Sequence, residues 1–178
     1  MASTLVSSTG NDRHKGETMT NIRFEAMATD VARAYQSGGL DAYGQSPERR
    51  TADGRFRVPC RHCLTDVAPG EDYLVLAYRP FTSLQPYTET GPIFLHAEAC
   101  DRHPGEEHTP EMLLKSSHMI VRGYSADERI VYGTGAVVTT DRIADTAATL
   151  LARGDVAFVH VRSASNNCFQ CRIDRSDV

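Results

Sequence analysis

The chain has 178 residues, enough for one core of ordinary size and short of two comfortable domains. Hydrophobic residues make up 40% and charged residues 24%, the mix of a globular protein, and the net charge is −4 with a pI near 6.0. Binding to nucleic acid rests on clustered Lys and Arg that neutralise phosphates, and an acidic chain lacks that excess, so no nucleic-acid partner is expected. No stretch approaches the roughly 20 apolar residues of a membrane span, so no membrane is expected either. Only Lys15 and Lys115 are lysines. The positive charge is thus nearly all arginine, whose planar fork suits fixed contacts to carboxylates or phosphates, although a GC-rich genome produces the same bias. The polar start (Ser3, Thr4, Ser7, Ser8, Thr9, then Asn11 to Lys15) has neither the apolar stretch nor the cleavage site of a secretory signal. The expected setting is therefore a soluble protein of the cytoplasm, where five cysteines point to metal binding or burial before disulfides.

In chain order, residues 1–20 lack apolar periodicity and are expected to form a disordered tail, with either Met1 or Met19 as the true start. Ile22, Phe24 and Ala26 alternate as a short strand does. Thr29 or Asp30 can cap a helix with Val31, Ala34 and Tyr35 on its apolar face, stopped at Gly38-Gly39. Asp41 to Gly54 is polar and turn-rich and reads as a loop. Phe56 and Val58 lead into Pro59-Cys60-Arg61-His62-Cys63. After the Pro69-Gly70 turn, Tyr73 to Tyr78 reads as a strand covered on both faces. Pro80, Pro86 and Pro92 break the next stretch, and Ile93 to His96 is another strand. A polar loop from Ala97 to His108 precedes a short helix opened by Thr109-Pro110 and running through Leu114. His118 to Tyr124 and Arg129 to Tyr132 read as a hairpin, and Gly133 and Gly135 permit a bend before Ala136 to Val138. Thr140 or Asp141 can cap a helix with Ile143, Ala147, Leu150 and Leu151 on one face and Gly154 as its stop. A second hairpin pairs Val156 to Arg162 with Cys168 to Asp174 across a turn at Asn166-Asn167. Strands outnumber helices and follow one another directly. The expected fold is α+β, a single domain over 21–176 with a largely antiparallel sheet and two or three short helices.

Several of these segments form a familiar series: Pro59-Cys60-Arg61, Pro69-Gly70-Glu71, Pro86-Tyr87, Gly91 to Phe94, Arg122-Gly123-Tyr124, and the terminal run from Cys168 to Arg175. Together they resemble the bacterial family catalogued as domain of unknown function 1203, over roughly residues 20 to 176. The resemblance implies no activity. In the family's pattern the first cysteine of each pair is typical, while the second, and His96 with Cys100, are less uniform. A metal site using them would belong to a subgroup.

The sharpest chemical signal is Cys60-x2-Cys63 followed by His96-x3-Cys100. A Cys-x2-Cys knuckle places two thiolates at the separation that tetrahedral zinc requires, and a His/Cys pair at the end of a strand can close the site. The order resembles treble-clef zinc modules, in which the zinc is structural. Cys168-x2-Cys171 is the alternative second pair, although positions three apart on an extended strand face opposite sides unless the chain turns. Plain burial competes with both, since free cysteine is among the most buried residue types. A redox Cys-x2-Cys would open a helix, and Leu64-Thr65-Asp66 does not resemble one. No Gly-rich phosphate loop, serine elbow or helical pair of metal-binding histidines is present. The polar group Asp101, His103, Glu106, Glu107 and His108 reads as a solvated loop, and Arg122 and Tyr124 as solvated positions on an edge strand.

On the penultimate strand, Ala157, Val159 and Val161 are small and apolar and should face the core, which turns Phe158, His160 and Arg162 to the other side. With Arg172 and Asn167 from the partner strand, His160 and Arg162 form a candidate site for a small anionic ligand, set against an ordinary solvated sheet face. Two functions remain open: a small binding or accessory domain with structural zinc, or an enzyme with a cysteine or bound metal at its centre.

Overall fold

The computed structural model describes residues 21–176. The tail expected over 1–20, and with it the choice between Met1 and Met19, lies outside the described residues. Buried Ile22 and Phe24 alternate with the less covered Arg23 and Glu25 in β1 (Ile22–Glu25). α1 (Thr29–Gln36) follows at once. The remaining strands are β2 (Glu48–Thr51), β3 (Asp72–Tyr78), β4 (Gly91–His96), β5 (His118–Tyr124), β6 (Ala136–Thr139), β7 (Phe158–Ser163) and β8 (Phe169–Arg175). The other helices are α2 (Glu111–Leu114) and α3 (Ile143–Leu151), the latter entered through a 3-10 turn at Thr140–Arg142.

Strands β1-β8-β7-β5-β6 form a five-stranded sheet and β2-β3-β4 a three-stranded one. Every strand pairing in both is antiparallel. With three short helices this is the α+β, largely antiparallel single domain expected from the sequence. No described helix is long and apolar enough to cross a membrane. The main core lies between the larger sheet and α3, where Ile143, Ala147 and Leu151 meet Val121, Val159, Val161, Cys171 and Ile173. A second core gathers Met27 and Ala32 over Val58, Cys60, Leu74, Leu76, Ile93 and Leu95. Ala157 differs from the expectation: it is partly buried against Phe81, Tyr124 and Phe158 rather than in the main core.

Three local readings of the sequence need correction. Residues 48–51, expected in a loop, form β2, whose four residues are all exposed. It is held by polar contacts, with Arg49 Nε donating to Asp72 at 2.9 Å and Thr51 Oγ1 at 2.7 Å, so no apolar alternation marked it. Arg129 to Tyr132 does not return as a hairpin strand. Beyond one bridge between Tyr124 and Ile130, the chain turns away and comes back as β6, with Met119 opposite Val138. The close approach at Gly123 allows this detour, because a Cβ there would stand 3.2 Å from buried Thr134. β5 is consequently an inner strand, and Tyr124 is fully buried rather than solvated.

Arg61 joins the two sheets. Its backbone N–H donates to Phe94 O of β4 at 3.1 Å, and its carbonyl accepts from Met27 N at 2.9 Å. Its guanidinium donates through Nε to Phe169 O of β8 at 2.7 Å and through Nη1 to Pro59 O. The side chain is 2% exposed, and burial lowers its pKa to about 10, which leaves it charged at neutral pH. Arg61→Ala removes the guanidinium hydrogen bonds and opens a cavity, and should lower stability by roughly 2–5 kcal/mol in denaturant unfolding. A change within about 0.5 kcal/mol would contradict this role.

His160 is enclosed by the rings of Phe81, Tyr124, Phe158 and Phe169, with centroids 4.7–5.3 Å away. Loss of solvent, then the charges of Arg162, Arg172 and Arg122, hold its pKa well below the ordinary histidine value. The ring is therefore neutral in the fold, whereas the unfolded chain takes up a proton near pH 6.5. Stability from this residue is lost as pH falls below about 6.5. Urea unfolding of His160→Gln should show a shallower loss between about pH 6.5 and 5 than the parent chain, and parallel curves would refute it.

Candidate metal centre

The knuckle begins where Pro59 bridges Asp66 and Cys60 N donates to Thr65 O at 2.9 Å. Leu64 N closes the turn on Cys60 O at 3.1 Å, and Leu64 takes a left-handed φ of 54° while its side chain is buried. A parallel bridge between Cys60 and Phe94 sets this turn beside the end of β4, where His96 N donates to Cys60 Sγ at 3.4 Å. The following loop carries Cys100, and α1 fixes it in place. Gln36 Nε2 donates to His96 O at 2.9 Å and Glu98 O at 2.8 Å, and Arg33 Nη2 donates to Cys100 O at 2.6 Å.

The result is that Cys60, Cys63, His96 and Cys100 each direct a donor atom into one cluster, all within 4.8 Å of one another. Zinc–sulfur bonds of about 2.3 Å put tetrahedral sulfurs about 3.8 Å apart, a spacing inside the span that encloses these four donors. His96 Nδ1 lies 3.5 Å from Cys63 Sγ, and its Nε2 lies 3.7 Å from Glu71 Oε2. The ring thus turns one nitrogen to the sulfurs and the other to a carboxylate, the arrangement that orients metal-bound imidazoles. Contact with Cys100 holds Cys60 far below the ordinary thiol range and pushes Cys100 up in turn. Hydrogen bonds with Cys60 and Cys63 raise His96 to about 10. The protons shared in this group are those that a thiophilic cation displaces on binding.

Reading the sequence missed the residues around the four. His62, inside the Cys-x2-Cys spacing, is fully buried, with Nδ1 3.2 Å from Cys100 Sγ and Nε2 3.0 Å from Thr29 Oγ1. Thr65 Oγ1 sits 3.1 Å from Cys63 Sγ. A histidine between paired cysteines was the available signal; nothing local marked Thr29 or Glu71. The polar loop contributes through its backbone, since His103 N donates to His62 O at 3.0 Å.

The alternative pair, Cys168 and Cys171, is not in the cluster. Cys171 faces the main core, and burial pushes its thiol up to about 12, while Cys168 lines a cleft at the β7–β8 turn. The candidate anion residues are divided. His160 is 1% and Arg162 4% exposed, so their sheet face is covered rather than solvated. Arg162 and Asn167 line one cavity, and His160 and Arg172 line another. Arg172 pairs with Asp174 at 2.7 Å and lies 3.9 Å over the Phe158 ring.

No curated protein and no solved structure matches the chain. Residues 57–175, more than half of the sequence, match the DUF1203 family, described as "Protein of unknown function". That stretch holds all four members of the cluster, the knuckle arginine and every strand from β3 to β8, and the chain belongs to the DUF1203 family.

Proposed function

We propose that the chain is a small binding or accessory domain whose Cys60, Cys63, His96 and Cys100 hold a structural zinc ion. The observation that carries this reading is the convergence of four protein donors, three of them thiols, on one point. Three sulfurs and one imidazole match the soft, tetrahedral preference of zinc. A fourth protein donor also takes the vertex that a catalytic zinc leaves to water, which favours a structural ion over a reacting one. The cluster ties together the knuckle, the end of β4 and the loop after it. All five cysteines are free thiols, which supports a reducing, cytoplasmic setting.

Elemental analysis of the purified full chain should find one zinc per molecule, and chelation should lower the melting temperature and make three further thiols reactive. Cys100→Ser and His96→Ala should lose the metal, while Cys168→Ser and Cys171→Ser retain it. His62→Ala should weaken zinc binding by about 10- to 100-fold without abolishing it, as expected of a group hydrogen-bonded to a ligand. A metal-free chain that takes up no zinc in titration, with unchanged thiol reactivity on chelation, would sink the proposal.

A further inference from the structure

The face of the larger sheet opposite α3 carries three arginines around a neutral histidine. Cross-strand register sets Arg122 of β5 beside His160 of β7, and His160 beside Arg172 of β8, with Arg162 one step further along β7. Residues 79–90 cover this row and bring in Glu89. Its carboxylate accepts from Arg122 Nη1 at 3.1 Å and from the Tyr124 hydroxyl at 3.4 Å, and also pairs with Arg162. One carboxylate therefore answers two guanidinium groups, and Arg162 is almost wholly buried. Arg162 Nη1 donates to Asn167 O at 2.7 Å, but its Nε–H is buried with no partner among the described residues. Among the described residues, His160 Nδ1 and Arg79 Nε are also buried without partners in this layer. Buried donors are ordinarily satisfied, and an incompletely neutralised buried cation is costly, so this layer lacks an acceptor.

A cleft of about 440 Å³ opens directly against Arg162. Tyr78, Pro92 and Phe169 supply apolar walls, and Thr90, Asn166 and Asn167 bring polar groups. Burial pushes the Tyr78 hydroxyl up to about 12, so it remains a donor across the physiological range. The volume falls within that of small-molecule sites, and the mixture of apolar wall and a few polar groups is their usual lining. On the far side of Phe169, a smaller cavity of about 260 Å³ meets His160, Arg79 and Arg172, with Glu128 also on its wall. Both cavities hold carboxylates, Glu89 on the larger and Glu25 with Glu128 on the smaller; in the larger, Glu89 is shared between Arg122 and Arg162, and the polar wall and the buried Arg162 are found there.

We propose that the larger cleft binds a small molecule bearing an oxyanion, a carboxylate or a phosphate, received at Arg162 with Tyr78, Thr90 and Asn166 as further donors. This rests on reading the chain as a binding domain, and it does not depend on the metal. Guanidinium suits such oxygens because its donors lie in one plane. His160 is a supporting residue. It backs the Phe169 ring at a centroid distance of 4.9 Å and stays neutral between Arg122, Arg162 and Arg172, so the positive charge that draws an anion comes from the guanidinium groups alone.

The test is a titration of the full, metal-loaded chain with inorganic phosphate, acetate and benzoate, followed by nuclear magnetic resonance at the Arg162 Nε–H and the amides of Asn167 and Cys168, with chloride at equal ionic strength as control. Saturable shifts at these signals are expected, weakened at least about tenfold in Arg162→Lys and measurably in Tyr78→Phe. Tighter phosphate binding would assign the phosphate source, and benzoate above acetate would assign a carboxylate with an apolar body. If Arg162→Lys does not fold, the Arg162 Nε–H signal of the parent chain and Tyr78→Phe decide. No saturable shift with any probe, an equal response to chloride, or unchanged affinity in both variants overturns the proposal. Metal loss with these shifts retained would strike the zinc reading alone.

Discussion

A single buried guanidinium holds the architecture together. Arg61 reaches from the cysteine knuckle to β8, while its own peptide group is bonded to β4 and to the strand-to-helix corner at Met27. Such a group is tolerated inside a protein only when its donors find oxygens, and carbonyls from two separate segments supply them. The Phe94 ring lies 5.8 Å from the guanidinium carbon. With Arg61 fixed, Cys60 has one position, and the end of β4 is brought beside it.

The cluster and the cleft lie on opposite sides of this joint and use different means of immobilisation. Around the cluster, α1 clamps the loop after β4 by side-chain donors to three carbonyls, those of His96, Glu98 and Cys100. Around the cleft, an irregular proline-rich segment is pinned by Glu89 and by Phe81, which lies 5.5 Å from Tyr124. The larger sheet is thereby covered on both faces. One face meets α3 through aliphatic side chains, and the other meets 79–90 through aromatic and charged ones.

Two hydroxyls show how tertiary contacts reassign local signals. Thr29 and Thr140 stand where helix caps belong, and α1 and the 3-10 turn before α3 do begin at them. Neither caps its helix. Thr29 Oγ1 bonds His62 beside the cluster, and Thr140 Oγ1 donates to Ser116 O at 2.9 Å. The same short polar side chain that favours a helix start also serves a neighbour in space, and sequence pattern registers only its position.

By itself the sequence determined where apolar periodicity exists and where metal-ligating spacing exists. Ile22 with Phe24 and the Ile143, Ala147 and Leu151 stripe became a strand and a helix because each pattern directs an apolar surface to one side, and the continuous apolar Tyr73–Tyr78 run became a strand covered on both faces. Cys60, Cys63, His96 and Cys100 were legible because a knuckle and a strand end are local geometries. Tertiary structure alone decided that β2 is a strand, that β5 lies inside its sheet, and that His160 and Arg162 are buried in different cavities. Hydrogen-bonded pairing needs no apolar signal, so an exposed strand such as Glu48–Thr51 leaves none. A buried arginine is spelled like an exposed one, and what buried Arg162 was Glu89 with its irregular segment, 73 residues earlier in the chain and contributed by no local pattern.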